Sequence, residues 1–436
     1  MHQTQRIGLL ATTAATALAL TATVAATAPA ADAATYGQRG HDTHHSRHAH
    51  QSSAQTSTDT TAPPPVTVTT NKLGRKAKGD IFVAPYGTSS SYASGAEILS
   101  PNGKKVVWYH PAAAGQSIAD FRTQTYRGKK VLTFWQGTGL GGVATGTDYI
   151  YNDKYQKIAE VHAGNGLSAD GHEFLITQRN TALILSYTTA TADLTSIGGP
   201  ADQTVIDGVV QEIDIRTGKV LFSWNSADHV PYSESQQPLP ASASTPWDWF
   251  HVNAVKVDSH RNLLIDARNT WTAYDVNRRS GAINWRLGGK NSSFMLKAAH
   301  GTTLNDAGRI FAWQHDAEDH GHGLISVFDN ESAGAANTGQ GAVSSLGYSR
   351  STEIRLDLKR RTATLVKEYD EPTRTLASSQ GNTQVLANDH VFTGWGALPH
   401  FSEFNARGKD VFDASYPAGF ISYRAYRLPW KAAKHR

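Results

Sequence analysis

The chain has 436 residues, with 41 Lys and Arg against 37 Asp and Glu, 38 Gly, ten Trp and no Cys. A net charge of +4, mild and scattered, gives no basis for a nucleic-acid surface. The missing Cys excludes thiolate metal sites, cysteine nucleophiles and a lipid-modified N-terminal Cys, while a domain of this size can bury a core without disulfides.

In chain order, residues 1–33 read as a secretory signal. Arg6 supplies a short positive region, Ile7 to Ala26 is apolar, and Ala31-Asp32-Ala33 fits a small-x-small cleavage site. A single membrane anchor is the competing reading. The run is rich in Ala and Thr rather than Leu and is followed by a cleavage pattern, so a secreted protein with no stable membrane insertion is expected. Residues 34–78 are low in complexity and contain His41, His44, His45, His48 and His50. They lack the apolar content for a core and read as a solvated, disordered linker.

Residues 79–436 carry short alternating apolar runs: KKVVWYH, KKVLTFW, ALILSYT, VVQEIDI, KVLFSW, NLLIDAR, GAINWRL, Arg309–Gln314, LISVFDN and HVFTGW. Gly, Asn, Asp and Pro separate them, which predicts strands throughout. One pattern recurs: a turn Gly, then a strand ending in an aromatic residue. It appears as Gly103–Trp108, Gly218–Trp224, Gly281–Trp285 and Gly408–Phe412, preceded by EILSPN, EIDIRT, AYDVNR and EFNARG. A period near 60 over about 350 residues predicts roughly six blades of an all-β propeller in a single domain.

No HExxH, GxSxG or CxxC motif is present. RLGGKN (Arg286–Asn291) lacks the leading Gly and the Ser or Thr of a phosphate loop, so no nucleotide cradle is expected. Three polar clusters lie between strand-like runs: SADGHEFLI with His172, WDWFHVNAVKV with Asp248, His251 and Asn253 (Arg268 follows), and WQHDAEDHGHG with Gln314, His315 and Asp316. On inner strands of a propeller such residues can meet at the axis, where three His and an Arg would suit a tetrahedral anion. Bland readings stand beside this one. His172 would cap a strand, His251 would bond to backbone, Arg268 would pair with Asp266 or Asp275, and His315 would be a core His held by Asp316. His320 and His322 sit between glycines and read as a surface loop. A zinc site would need them to join His315 with Asp316 or Asp319.

WDWFHVNAVKVDSHRNLLIDARNTWTAYDVNRRSGAINWRLGG followed by WQHDAEDHGHGLISVFDN resembles the bacterial and fungal arylsulfotransferases that use no nucleotide sulfate donor. YRGKKVLTFWQG, DGHEF and TGWGALPHFSEF fit in order, so the resemblance spans about residues 80 to 430. It implies a six-bladed propeller that moves a sulfuryl group from an aryl sulfate to a phenol through a sulfo-histidine, with no metal, cofactor or nucleotide. His315 would be the nucleophile, and His172, His251 and Arg268 would hold the sulfate. Asn253, Trp249, Asp316 and Gln314 complete the expected substrate-binding set, Trp249 as a wall for the aryl ring and Asp316 as an orienter of His315. The alternatives are a non-catalytic extracellular propeller that binds a glycan, cell-wall polymer or protein, and a metal-dependent hydrolase.

Overall fold

Among the described residues, strands of three to twelve residues fall into six small sheets with almost no helix. The computed structural model describes residues 62–73, 78–89, 91–140, 142–332 and 346–432. The expected signal, the linker histidines and the Ala/Gly-rich stretch after Ser332 lie outside the described residues. No described helix is long and apolar enough to cross a membrane.

Each sheet is an antiparallel meander. β5 (Ser117–Tyr126), β6 (Lys129–Thr138), β7 (Thr145–Tyr151) and β8 (Lys157–Val161) form one. β9 (Phe174–Ile176), β10 (Thr181–Ala192), β11 (Gln203–Asp214) and β12 (Val220–Asn225) form the next. β13 (Val252–Val257), β14 (Leu263–Ala267), β15 (Thr272–Val276) and β16 (Ile283–Gly288) follow. The fifth blade runs from β18 (His315–Asp319) through β19 (Leu324–Asp329), β20 (Arg350–Asp357) and β21 (Thr362–Asp370), with β17 (Met295–Ala298) parallel to β21 at its edge. The sixth contains β22 (Asn382–Val385), β23 (Val391–Gly394), β24 (His400–Phe404) and β25 (Asp410–Ser415). Closed radial repetition of this kind is a six-bladed β-propeller.

The ring is closed by both ends of the described chain. The C-terminal β26 (Phe420–Leu428) pairs with β2 (Asp80–Gly87) and becomes the inner strand of the first blade, which continues into β3 (Gly95–Leu99) and β4 (Val106–Pro111). At the other end, β1 (Thr67–Asn71) pairs with β25. This extends the propeller into residues that read from sequence as linker. TVTTN is β-branched and alternating, Val68 packs on the cluster containing Phe412, and Thr69 Oγ1 donates to Asp413 at 2.7 Å.

The recurring Gly-to-aromatic pattern maps to β4, β12, β16 and β25, strands on the outer side of their blades. Gly103, Gly218, Gly281 and Gly408 have φ of 70°, 70°, 74° and 75°, a region that penalises other residues, so the repeated Gly marks the hairpin turn. The apolar core sits between blades. Leu183, Val210 and Trp224 of the third pack against Val255, Ile265 and Tyr274 of the fourth.

Candidate active site

Six inner strands, β26, β5, β9, β13, β18 and β22, line the axis and run in one direction. His172 lies two residues ahead of β9, His251 immediately ahead of β13, and His315 opens β18. Arg268 begins a 3-10 turn, Arg268–Thr270, where β14 returns to the same end. Short links run between the four, one of them a direct backbone bond. The Arg268 N–H donates to the His251 carbonyl at 3.0 Å, and Arg268 Nη2 donates to the Ser378 carbonyl at 3.1 Å. Two residues on, the Gln380 N–H donates to His315 Nε2 at 3.1 Å. The rings of His172 and His251 meet edge to face, 5.0 Å between centroids. All four side chains are buried.

The local backbone is bent to bring them there. His251, Trp313, Asp316 and Gln380 have φ of 53°, 56°, 57° and 64°, which non-glycine residues adopt at a cost of about 1 kcal/mol or more each. The bend at Trp313 also explains a difference from the sequence reading. Arg309–Gln314 was expected as a strand, yet the strand begins at His315, because a left-handed residue interrupts extended pairing there.

Each histidine is fixed through Nδ1. Asp170 holds His172 and Asp248 holds His251. His315 Nδ1 pairs at 2.7 Å with Oδ1 of Asn330. The Asn330 amide nitrogen donates to the carbonyls of Ala377 (2.9 Å) and Gln380 (3.0 Å), so its oxygen must face His315. The proton of His315 is therefore on Nδ1 and the lone pair on Nε2. Burial, then the nearby Arg268 charge, hold the His315 pKa well below the usual histidine range, although the Asn330 bond acts the other way. Burial likewise lowers His251 against the pull of Asp248. Burial lowers Arg268 to about 10, offset only in part by Asp248. A neutral imidazole with its lone pair at Nε2 thus stands beside a buried guanidinium and two imidazoles held at Nδ1 by carboxylates; the guanidinium, and either of those rings when protonated at Nε2, can donate to a compact oxyanion.

The expected substrate-binding residues divide differently. Asn253 Nδ2 donates to the Gln314 carbonyl at 2.7 Å, and Gln314 Nε2 donates to Asp266 at 2.6 Å, so both tie the fourth blade to the fifth. Asp316 does not orient His315; Asn330 does. Asp316 instead pairs with Lys256 at 2.8 Å and Arg424 at 3.4 Å. Trp249 is a core residue, edge-on to Tyr232 and donating to Asp207 at 2.8 Å. The aromatic surface beside Arg268 is Trp313, whose ring centroid is 5.4 Å from the guanidinium, backed by Trp271. Tyr187 and Tyr423 flank His172 at 6.1 and 5.5 Å. Nor is Arg268 a surface ion pair. His320 follows the last residue of β18, bonded to Ser326 at 2.8 Å, so His315 and His320 sit at opposite ends of the strand and cannot share a metal. The sequence reading passed over Asn330 although it closes the FDN motif. His315 pairs with Phe328 across the β18–β19 hairpin, which puts Asn330, two residues on, within its reach.

Below the histidines the axis is filled by charge. Arg122, Lys256 and Arg424 interlock with Asp120, Glu173 and Asp316: Arg424 reaches Asp120 at 3.2 Å and Glu173 at 3.0 Å, and Lys256 also pairs with Glu173. These ion pairs close the axis below the histidines.

The sequence model of the family described as "Arylsulfotransferase (ASST)" matches residues 122–417, more than half of the chain. A comparison with curated proteins returned no match. Among solved structures, a protein of unknown function from Bacteroides caccae aligns at 10% identity and TM-score 0.46, covering 80% of this chain and 98% of that one. Hydrazine synthase of Kuenenia stuttgartiensis aligns at 12% identity and TM-score 0.35, covering 82% and 80%. Likenesses this distant carry no functional argument.

Proposed function

Because the chain belongs to the arylsulfotransferase family, we propose that it moves a sulfuryl group from an aryl sulfate to a phenol by way of a sulfo-histidine at His315. The observation that carries this reading is the convergence of His172, His251 and Arg268 around a neutral His315 whose lone pair lies on Nε2.

In the first half-reaction Nε2 attacks sulfur, the N–S bond forms, and the S–O bond to the aryl group breaks. The departing phenolate takes its electron pair and the Nε2 proton of His172 or His251 in its imidazolium form, whose Nδ1–H is held by Asp170 or Asp248. Charge spreads over the three peripheral oxygens, as in phosphoryl transfer, and Arg268, with the Nε2–H of the imidazolium, stabilises it. For that attack the Gln380 N–H must first release the Nε2 lone pair it is bonded to, after which it is free to face the sulfuryl oxygens. In the second half the acceptor phenol gives its proton to the same imidazole, its oxygen attacks sulfur, and the N–S bond breaks to restore His315. Trp313 and Trp271 offer the aryl ring an apolar wall.

The test is intact-mass analysis after incubation with p-nitrophenyl sulfate alone. A sulfuryl adduct mapped to His315 and discharged by added phenol is expected. Undiminished transfer by His315→Ala would abandon the reading. Export is part of the same proposal, supported by the signal-like residues 1–33; mature protein from culture medium should begin just after Ala33.

A further inference from the structure

On the opposite face of the ring, between the second and third blades, lies a cleft of about 1000 Å³ that takes no part in the site above. Strand direction places it there. Tyr126 ends the inner strand β5, Arg127 lies in the β5–β6 turn, Asp153 in the β7–β8 turn, Arg216 in the β11–β12 turn, and Trp430 follows β26. All of these are at the exit end of the axis.

Its chemistry is one-sided. Arg127, Lys129, Lys130, Arg216 and Lys431 line it, with Asp153 as the only acidic residue of the lining. None of the five cations forms an ion pair among the described residues, whereas the neighbouring Lys157 pairs with Glu160 and Arg179 with Glu212. The whole chain carries a net charge of only +4, so an excess of this size in one cleft is a concentration, not an average. Between the cations the surface is apolar and aromatic: half-buried Trp430 and Ile158, 47% exposed, with Tyr126 buried beneath the Arg127 guanidinium at 5.1 Å. An exposed apolar floor inside a cationic rim is costly to leave bare and matches a ligand that is apolar on its ring faces and anionic at its edges.

We propose that this cleft binds an acidic oligosaccharide, with ring faces on Trp430 and carboxylate or sulfate groups on the lysines and arginines. The cleft volume is at the upper end for small-ligand sites and accommodates a few sugar rings. A nucleic acid would need a longer track of phosphate contacts than one bounded cleft provides. The site is independent of the transfer chemistry, so it would hold the enzyme on an anionic glycan without altering its reaction.

The experiment is calorimetric titration of the full chain with a heparin tetrasaccharide and, separately, trigalacturonate. Neutral maltotetraose and a single-stranded oligonucleotide serve as controls. Binding of either acidic sugar, but of neither control, is expected. Lys129→Glu with Arg216→Glu should weaken it by at least about tenfold, and Trp430→Ala by a similar factor. Sulfuryl transfer from p-nitrophenyl sulfate should stay at the wild-type rate in the charge-reversed variant. Absence of binding, equal binding of the oligonucleotide, or an affinity that ignores both variants would each overturn the proposal. Loss of transfer without loss of binding would instead count against the function proposed for the histidine chamber.

Discussion

Arg268 and Arg424 are both buried on one axis, and their surroundings move them in opposite directions. Burial alone would lower Arg424, but Asp316 and Glu173 raise it well above the ordinary arginine range. For Arg268 burial wins, Asp248 offsets it only in part, and the pKa falls to about 10. The lower network is complete: three cations are matched by three carboxylates, each ion desolvated but paired. In the upper chamber Asp170 and Asp248 stand behind the imidazoles on the Nδ1 side and do not fully offset the positive groups. A guanidinium whose charged form is disfavoured by burial gains from an incoming anion.

The largest expected effect tests the upper region at its centre. His315→Ala should lower kcat for transfer from p-nitrophenyl sulfate to phenol by about 10⁴-fold or more, with the β-sheet circular dichroism unchanged. The two arginines then separate. Arg268→Met should lower kcat by about 10²- to 10³-fold while leaving urea unfolding nearly unmoved. Arg424→Met leaves Glu173 and Asp316 short of a buried partner and should destabilise by roughly 3–5 kcal/mol. If Arg424→Met folds normally and Arg268→Met unfolds, the contrast between the two regions is wrong.

A subtler variant sharpens the upper region. Asn330→Asp sets a carboxylate against His315 Nδ1 and favours the imidazolium, so the His315 pKa must rise. The neutral nucleophile is then lost at higher pH, and the acidic limb of kcat/KM against pH should move upward. An unmoved limb would show that Asn330 does not govern the protonation of His315. The smallest effect concerns a third kind of buried charge. Glu97 has no hydrogen-bond partner on either carboxyl oxygen, and burial raises its pKa to about 8. The unfolded chain ionises near 4.5, so this group removes stability as pH rises from there through about 8. Glu97→Gln should stabilise by on the order of 2 kcal/mol at pH 7 and by much less at pH 5, read from urea midpoints.

The blade count was legible because hairpin turns need Gly at positive φ, and the same turn recurs at Gly103, Gly218, Gly281 and Gly408. The three histidines were legible as motif positions because they stand where inner strands begin, and Arg268 because it ends the NLLIDAR run. What the sequence hid was direction. Asp316 and Trp249 are neighbours of His315 and His251 in the chain, yet a left-handed residue at Asp316 and at His251 turns adjacent side chains toward different regions. Asn330 and Gln380 act on His315 from 15 and 65 residues away. Asn330 could be found only by pairing β18 with β19, and Gln380 acts through its backbone, which leaves no mark in residue type. β1 was missed because five Thr-rich residues beside a polar linker gain their apolar partners only when Phe412 is in place.

The pairing of β2 with β26 also sets a timetable. Asp80 meets Leu428, and Thr67 meets Ser415, so the earliest strands of the propeller wait for the last ones. Contacts this distant in sequence slow folding, and until they form β2 and β25 are open edges able to pair with another chain. The ribosome must release the chain through about Leu428 before the ring can shut. Blades two to five can assemble on the way, but the histidine chamber, which draws on Gln380 and Tyr423, is among the last parts to become whole.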